Sequence, residues 1–205
     1  PRSTPLYSSA ASDVYKRQLL KHYDIDTPVE SFHMHNEHKK LESIINKLRN
    51  DTQIALISDA GTPGISDPGF LLVRECIKNK IEVKCLPGAT ALIPALVNSG
   101  LPSDRFLFEG FLPPKKGRKK RIEKLINIKG TVVIYENSNR LKRTVKQLHE
   151  ILGDRPAVLC RELTKMYEEI VRGTLSSLLH ILENKTFKGE CVLLVSKDDK
   201  NIYFE

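Results

Sequence analysis

The sequence predicts an α/β protein: a parallel-sheet domain first, then a smaller α/β domain with a mixed sheet. Three observations lead there. Ile54 to Ile57 is an apolar run of the length of a buried parallel strand, and it enters a loop rich in glycine and proline that leads to an apolar helix face. Ile81 to Cys85 starts a second strand–loop–helix sequence, and such β-α-β-α alternation indicates crossover helices on a parallel sheet. Beyond residue 130, further short strand-like runs alternate with two more helical patterns.

In chain order, residues 1 to 18 (PRSTPLYSSAASDVYKRQ) stand apart, serine-rich and without period or caps. Leu19 to Ile25 reads as the end of a helix, and Phe32 to His38 as a strand running into a loop. His33, His35 and His38 raise a metal-ligand reading. However, no cysteine or carboxylate set completes a ligand shell by spacing, so a loop leading into a helix or facing a substrate is expected, and no metal. Leu41, Ile44, Ile45 and Leu48 recur at the helical period. In the loop Ser58 to Gly69, Asp67-Pro68 has the form of an N-cap and first helical residue, with Phe70, Leu71 and Val73 opening a helix that runs to about Lys80.

After the strand at Ile81, Pro87 to Ala91 forms a second loop, and a helix follows through Val97. Phe106 to Pro114 is expected to be the hinge, giving domains over 19–108 and 109–205. Lys115 to Arg121 is the densest basic run, either a solvated helix start or a contact for RNA phosphates. Strands are expected at Thr131–Tyr135, Pro156–Cys160, Glu168–Arg172 and Cys191–Val195. Helices are expected at Leu141–Leu152 and Leu175–Leu182.

Composition narrows the class. The chain has 205 residues, 40% of them hydrophobic and 28% charged, which is ordinary for a globular protein. No apolar stretch approaches the roughly 18 residues of a membrane span, and no leader-like apolar region is visible near the N-terminus. Cys76, Cys85, Cys160 and Cys191 are far apart, without a CxxC, and read as reduced, mostly buried thiols of a cytoplasmic protein. A net charge of +8 suits a polyanionic partner. Neither glycine-rich loop is GxGxxG or a P-loop, which argues against dinucleotide or ATP.

The loop SDAGTPGISDPG (58–69) resembles the signature of the tetrapyrrole methylase superfamily, and within it the ribosomal RNA small subunit methyltransferase I branch. FEGFLP (108–113), YENSNR (135–140), RELTK (161–165) and KGE (188–190) match stretches of that family in the same order, so the resemblance covers about residues 19 to 197. It implies a Rossmann-like first domain, a homodimer, and S-adenosylmethionine as cofactor in a cleft between the domains. The reaction it implies is 2′-O-methylation of a cytidine in 16S rRNA of the small ribosomal subunit. Asp59, Ala60, Gly61, Thr62, Thr90 and Ala91 would hold the cofactor, with Tyr135 and Glu190 closing over it. A ribose hydroxyl is a poor nucleophile, so a base is sought among Glu136, Glu162 and Lys165, the last only with a lowered pKa, and less so Glu109. Ion pairing with Arg140 or Arg161 is the alternative for each carboxylate. Lys115, Lys116, Arg118, Lys119, Lys120 and Arg140 are the expected RNA contacts.

The family's first strand and its PTPIGNL-like loop are not recognisable in residues 1–18. A chain without that strand would be less stable and bind cofactor weakly. Two rival readings follow: a methyltransferase acting on tetrapyrrole precursors, and an RNA-binding protein without catalysis.

Overall fold

The computed structural model describes residues 6–8, 18, 20–197 and 199–204. They fall into two compact units, 1–90 and 91–205. In the first unit β1 (Leu6–Ser8), β2 (Val29–Ser31) and β3 (Ala55–Ile57) form a parallel sheet in the order β2-β1-β3. The strand expected to be lacking is therefore present and central: Leu6 pairs with Val29 on one side and Ala55 on the other. Three residues are too few to show a period, which is why the sequence hid it. The expected glycine-bearing loop after it would fall on residues 9–17, outside the described residues.

Helix α1 (Glu37–Arg49) turns Ile44 and Ile45 inward, as its period requires, and carries Glu37 in its first turn and Lys47 and Arg49 in its last, in the sense the helix dipole favours. Helix α2 (Phe70–Lys78) buries Leu72 and Cys76. Together with Phe32 these four residues form the unit's core, with Leu41, Leu48, Ile54, Leu56 and Ile81 packed on its margin. Two expectations fail here. Asp67 does not cap α2, whose N-cap is Gly69 at φ 148°; the Asp67 carboxylate instead accepts the Ser58 hydroxyl at 2.7 Å. Ile81 to Cys85 pairs with no strand among the described residues. Val83 and Cys85 face solvent, and Glu82 and Lys84 pair with each other at 3.3 Å, so only Ile81 joins the core.

The second unit opens with α3 (Leu92–Ser99) and continues through β4 (Phe106–Phe111), α4 (Arg118–Glu123), β5 (Thr131–Asn137), α5 (Ser138–Leu152), β6 (Pro156–Arg161), β7 (Glu169–Thr174), α6 (Leu175–Asn184) and β8 (Glu190–Val195). The sheet order is β4-β5-β8-β6-β7; β4 runs parallel to β5 and the remaining pairs are antiparallel, the mixed sheet expected. Strand alternation divides the core. Val132, Ile134, Leu159, Leu193 and Val195 meet α4, α5 and α6 on one face, while Val133, Val158, Cys160, Val192 and Leu194 meet Ala95 and Leu96 of α3 on the other. Burial on both faces explains why β5, β6 and β8 read as unbroken apolar runs.

Because α3 covers this second sheet, the break between units falls after Thr90 and not after residue 108. The expected hinge is instead edge strand β4, whose register slips at Glu109 between Phe108 and Gly110. Arg172 of β7 fastens α3 from the far edge, donating to Ser99 O at 3.2 Å and to Asn98 O.

Candidate functional site

The loop after β3 keeps its shape through positive φ angles at Gly61 (73°), Gly64 (83°) and Gly69 (148°), where a Cβ would be strained, and also at Ser66 (61°). Inside it, Ile65 N donates to Thr62 O at 3.2 Å and Ser58 Oγ lies 3.4 Å from Ala60 N. The two loops singled out in the sequence meet: Thr62 Oγ1 donates to Ala89 O at 3.3 Å, and a Cβ on Gly61 would stand 3.9 Å from the same oxygen. Asp59, Ala60 and Gly61 are exposed and Thr62 and Thr90 half-buried. Asp59, Ala60, Gly61 and Thr62 thus gather beyond the end of a parallel strand, beside the loop that ends at Thr90. A carboxylate, backbone amides and hydroxyls are gathered there, which suits a ligand with hydroxyl and ammonium donors. Ala91 is the N-cap of α3.

The second unit separates two predicted site residues that are adjacent in sequence. Tyr135 lies on the α3 face of the sheet, edge-on to Phe108 (centroids 4.9 Å) and Phe111 (5.8 Å). Glu136 points to the opposite face, where its side chain is fully buried. There Arg140 Nη2 lies 2.8 Å from Oε1, Thr144 Oγ1 donates to Oε2 at 2.6 Å, Arg118 Nη2 stands 3.4 Å away, and the Asn137 amide donates at 2.9 Å. Glu136 is therefore the paired carboxylate of the ion-pair alternative, with its oxygens saturated and no water-facing lone pair to take a proton.

Glu162, Lys165 and Glu190 form a latch between the β6–β7 loop and the start of β8. The Glu190 amide donates to Glu162 Oε1 at 2.7 Å, the Glu162 amide to Glu190 O at 2.9 Å, and Lys165 Nζ reaches Glu190 (2.8 Å) and Glu162 (3.3 Å). That amide and Lys165 hold the Glu162 carboxyl below its ordinary value. Glu190, and then Glu162, push the Lys165 ammonium above its own. A base needs the reverse, so Lys165 does not meet the condition attached to it. Glu162 and Thr164 sit at φ 48° and 64°, and a Cβ on Gly189 would collide with the Glu162 carboxylate, so the latch depends on that glycine.

The basic run divides. Lys115, Lys116, Lys119 and Lys120 are exposed, whereas Arg118, expected among the RNA contacts, is buried with its side chain 3% exposed. It donates from Nε to Gln147 (2.7 Å), from Nη1 to Pro113 O (3.1 Å) and from Nη2 to Thr144 (2.5 Å). Burial pulls its pKa down, and Glu136 works against that pull. The sequence signal for it is helical: Arg118, Ile122 and Leu125 recur at i, i+4 and i+7, and all three are buried. Thr144 and Gln147, its partners, carried no signal. Arg140, also expected at RNA, bonds Glu136 with its side chain 31% exposed. Glu109 pairs with Arg121.

The histidine loop leads into α1 as expected, with Asn36 Oδ1 accepting from the His33 amide at 2.8 Å and Asn36 Nδ2 donating to Ser31 O at 3.2 Å. Among the described residues no group of three histidine, cysteine or acidic side chains is placed to hold a metal ion. Burial pushes the Cys160 thiol up to about 12 and the Cys191 thiol up to about 11; Cys85 is exposed. Among the same residues no helix is long and apolar enough to cross a membrane.

Residues 3–179 match the family model described as Tetrapyrrole (Corrin/Porphyrin) Methylases, and the match includes residues 3–18 of the N-terminal segment that stands apart in the sequence. The chain is 44% identical over 195 residues to the ribosomal RNA small subunit methyltransferase I of Halalkalibacterium halodurans, covering 94% of this chain and 68% of the relative. It is 48% identical over 191 residues to the protein of the same name from Haemophilus influenzae, covering 89% and 67%. Its fold is similar to that of the uroporphyrin-III C-methyl transferase from Thermus thermophilus, solved with S-adenyl homocysteine (TM-score 0.61, 14% identity, 95% of this chain and 86% of that one).

Proposed function

The chain belongs to the tetrapyrrole methylase family and to its ribosomal RNA small subunit methyltransferase I branch, and from that premise we propose that it methylates ribosomal RNA with S-adenosylmethionine. The target in this reading is a cytidine ribose 2′-hydroxyl of 16S rRNA in the small subunit, and the working form is a homodimer. One observation carries the cofactor reading: the Ser58–Gly69 loop and the loop ending at Thr90 are joined through Thr62 and Ala89 at the end of β3. S-adenosylmethionine supplies an electrophilic methyl group. Asp59 accepts from its hydroxyl or ammonium donors, the amides of Ala60 and Gly61 donate to its acceptors, and the missing side chain at Gly61 lets it approach the backbone.

The chemistry is an in-line displacement, so holding the two reactants in line supplies much of the rate. In this reading Glu136, Glu162 and Lys165 brace the second unit itself through their ion pairs and do not act as the base. Exposed Lys115, Lys116, Lys119 and Lys120 neutralise RNA phosphates.

Calorimetric titration with S-adenosylmethionine tests this. Saturable binding by the unmodified chain, lost in the Asp59→Ala, Thr90→Ala double variant, is expected. Wild-type-like binding by that variant would overturn the site assignment, and no binding by either protein would overturn the cofactor.

A further inference from the structure

The proposed function leaves a second set of cations unused, on the outer face of α5. Lys142, Arg143 and Lys146 are exposed there, while Leu141, Thr144, Val145 and Leu148 point inward. The basic loop is fixed to this helix and not merely near it. Arg143 Nη1 donates to Pro114 O at 3.4 Å, and buried Arg118 bonds Pro113 O on one side and Gln147 and Thr144 of α5 on the other.

We infer that the outer face of α5 continues the Lys115–Lys120 run, a loop and the start of α4, as one phosphate-binding track, with Arg143 at the junction. This rests on the reading of an RNA substrate and names where else the RNA chain runs.

The cations are free to exchange partners. Lys119 and Lys146 are 80% and 63% exposed, and their carboxylate neighbours Glu123 and Glu150 stand at 4.0 and 3.9 Å, the outer limit of an ion pair. Exposed pairs of this kind contribute little, so an RNA phosphate displaces the carboxylate readily. Each phosphate neutralised releases counterions and steepens the salt dependence of binding. With Arg118 rooted in α5, loop and helix present their charges in a fixed relation, and little ordering is left to do when RNA arrives.

The test uses the full chain, a labelled transcript of small-subunit ribosomal RNA, and affinities measured between roughly 50 and 200 mM salt, the range over which phosphate contacts show most clearly. The Lys142→Gln, Lys146→Gln pair should lower the slope of log affinity against log salt by about 1.4–1.8, and weaken binding roughly tenfold near 0.1 M salt. A charge-matched pair on α2 and its end, Lys78→Gln with Lys80→Gln, should change neither. An unchanged slope in the first pair, or an equal fall in the control pair, overturns the track. Cofactor titration keeps the two readings apart. A lost slope with wild-type cofactor affinity supports the track; an unchanged slope with cofactor still bound removes the track alone. Failure of the unmodified chain to bind cofactor removes the function reading.

Discussion

The two units bury their sequence in different ways. The second covers both faces of a five-stranded sheet and holds fully buried leucines and valines on each. The first has, among the described residues, three short strands and a core of Phe32, Ile44, Ile45, Leu72 and Cys76, margined by half-exposed side chains. The residues proposed to meet the cofactor from Asp59 to Thr62 belong to the thinner unit, and those proposed to meet RNA belong to the denser one. In the proposed reading the small ligand is met by the glycine-shaped loop of the first unit, and the long polyanion by a surface anchored to the denser core.

The largest way to break this contrast is through the buried charge of the dense unit. Glu136→Gln leaves Arg118 and Arg140 uncompensated and should cost about 3–5 kcal/mol in chemical denaturation. Full stability with lost methyl transfer would return Glu136 to a chemical role. The packing contrast is the next test. Leu193→Ala, closed in on all sides, should cost about 4 kcal/mol, and Ile44→Ala about 2, because its half-exposed neighbours can settle into the gap. Equal costs would show the first unit to be as tightly packed as the second.

The smallest effect concerns the latch at Glu162. Its folded pKa is depressed, chiefly by the Glu190 amide, so its contribution is complete above the unfolded value of 4.5 and is lost as pH falls through the lower folded value. Lys165 is raised above 10.5, so its share is complete below that and fades as pH rises through the folded value. Protection of the Glu190 amide, its exchange compared with the intrinsic rate at each pH, should fall at those two ends only. Glu162→Gln should remove the acid limb, and an unchanged acid limb would contradict the assignment.

Sequence legibility followed the same division. The apolar runs of β5, β6 and β8 and the period of α1 and α5 announced themselves because burial dictates them. The first loop was legible through its glycines and prolines. What failed was where a local pattern had two outcomes. Ile81 to Cys85 has the composition of a strand, yet Glu82 and Lys84 satisfy each other in solvent and no strand among the described residues pairs with it. Phe106 to Pro114 was expected to be a hinge, yet β5 supplies a ladder for Phe106–Phe111. Arg118 was read by its charge when its spacing with Ile122 placed it inside.

Glu109 also shapes how the molecule meets copies of itself. β4 is an open edge of the second sheet, and an open edge with an even ladder is a template on which another strand can add. The register slip at Glu109, held by Arg121, bends that ladder and sets a charged pair on it. At the opposite edge, the Arg172 side chain runs from β7 to the carbonyls at the end of α3. The slip and its charged pair make the β4 border a poor template for strand-to-strand pairing.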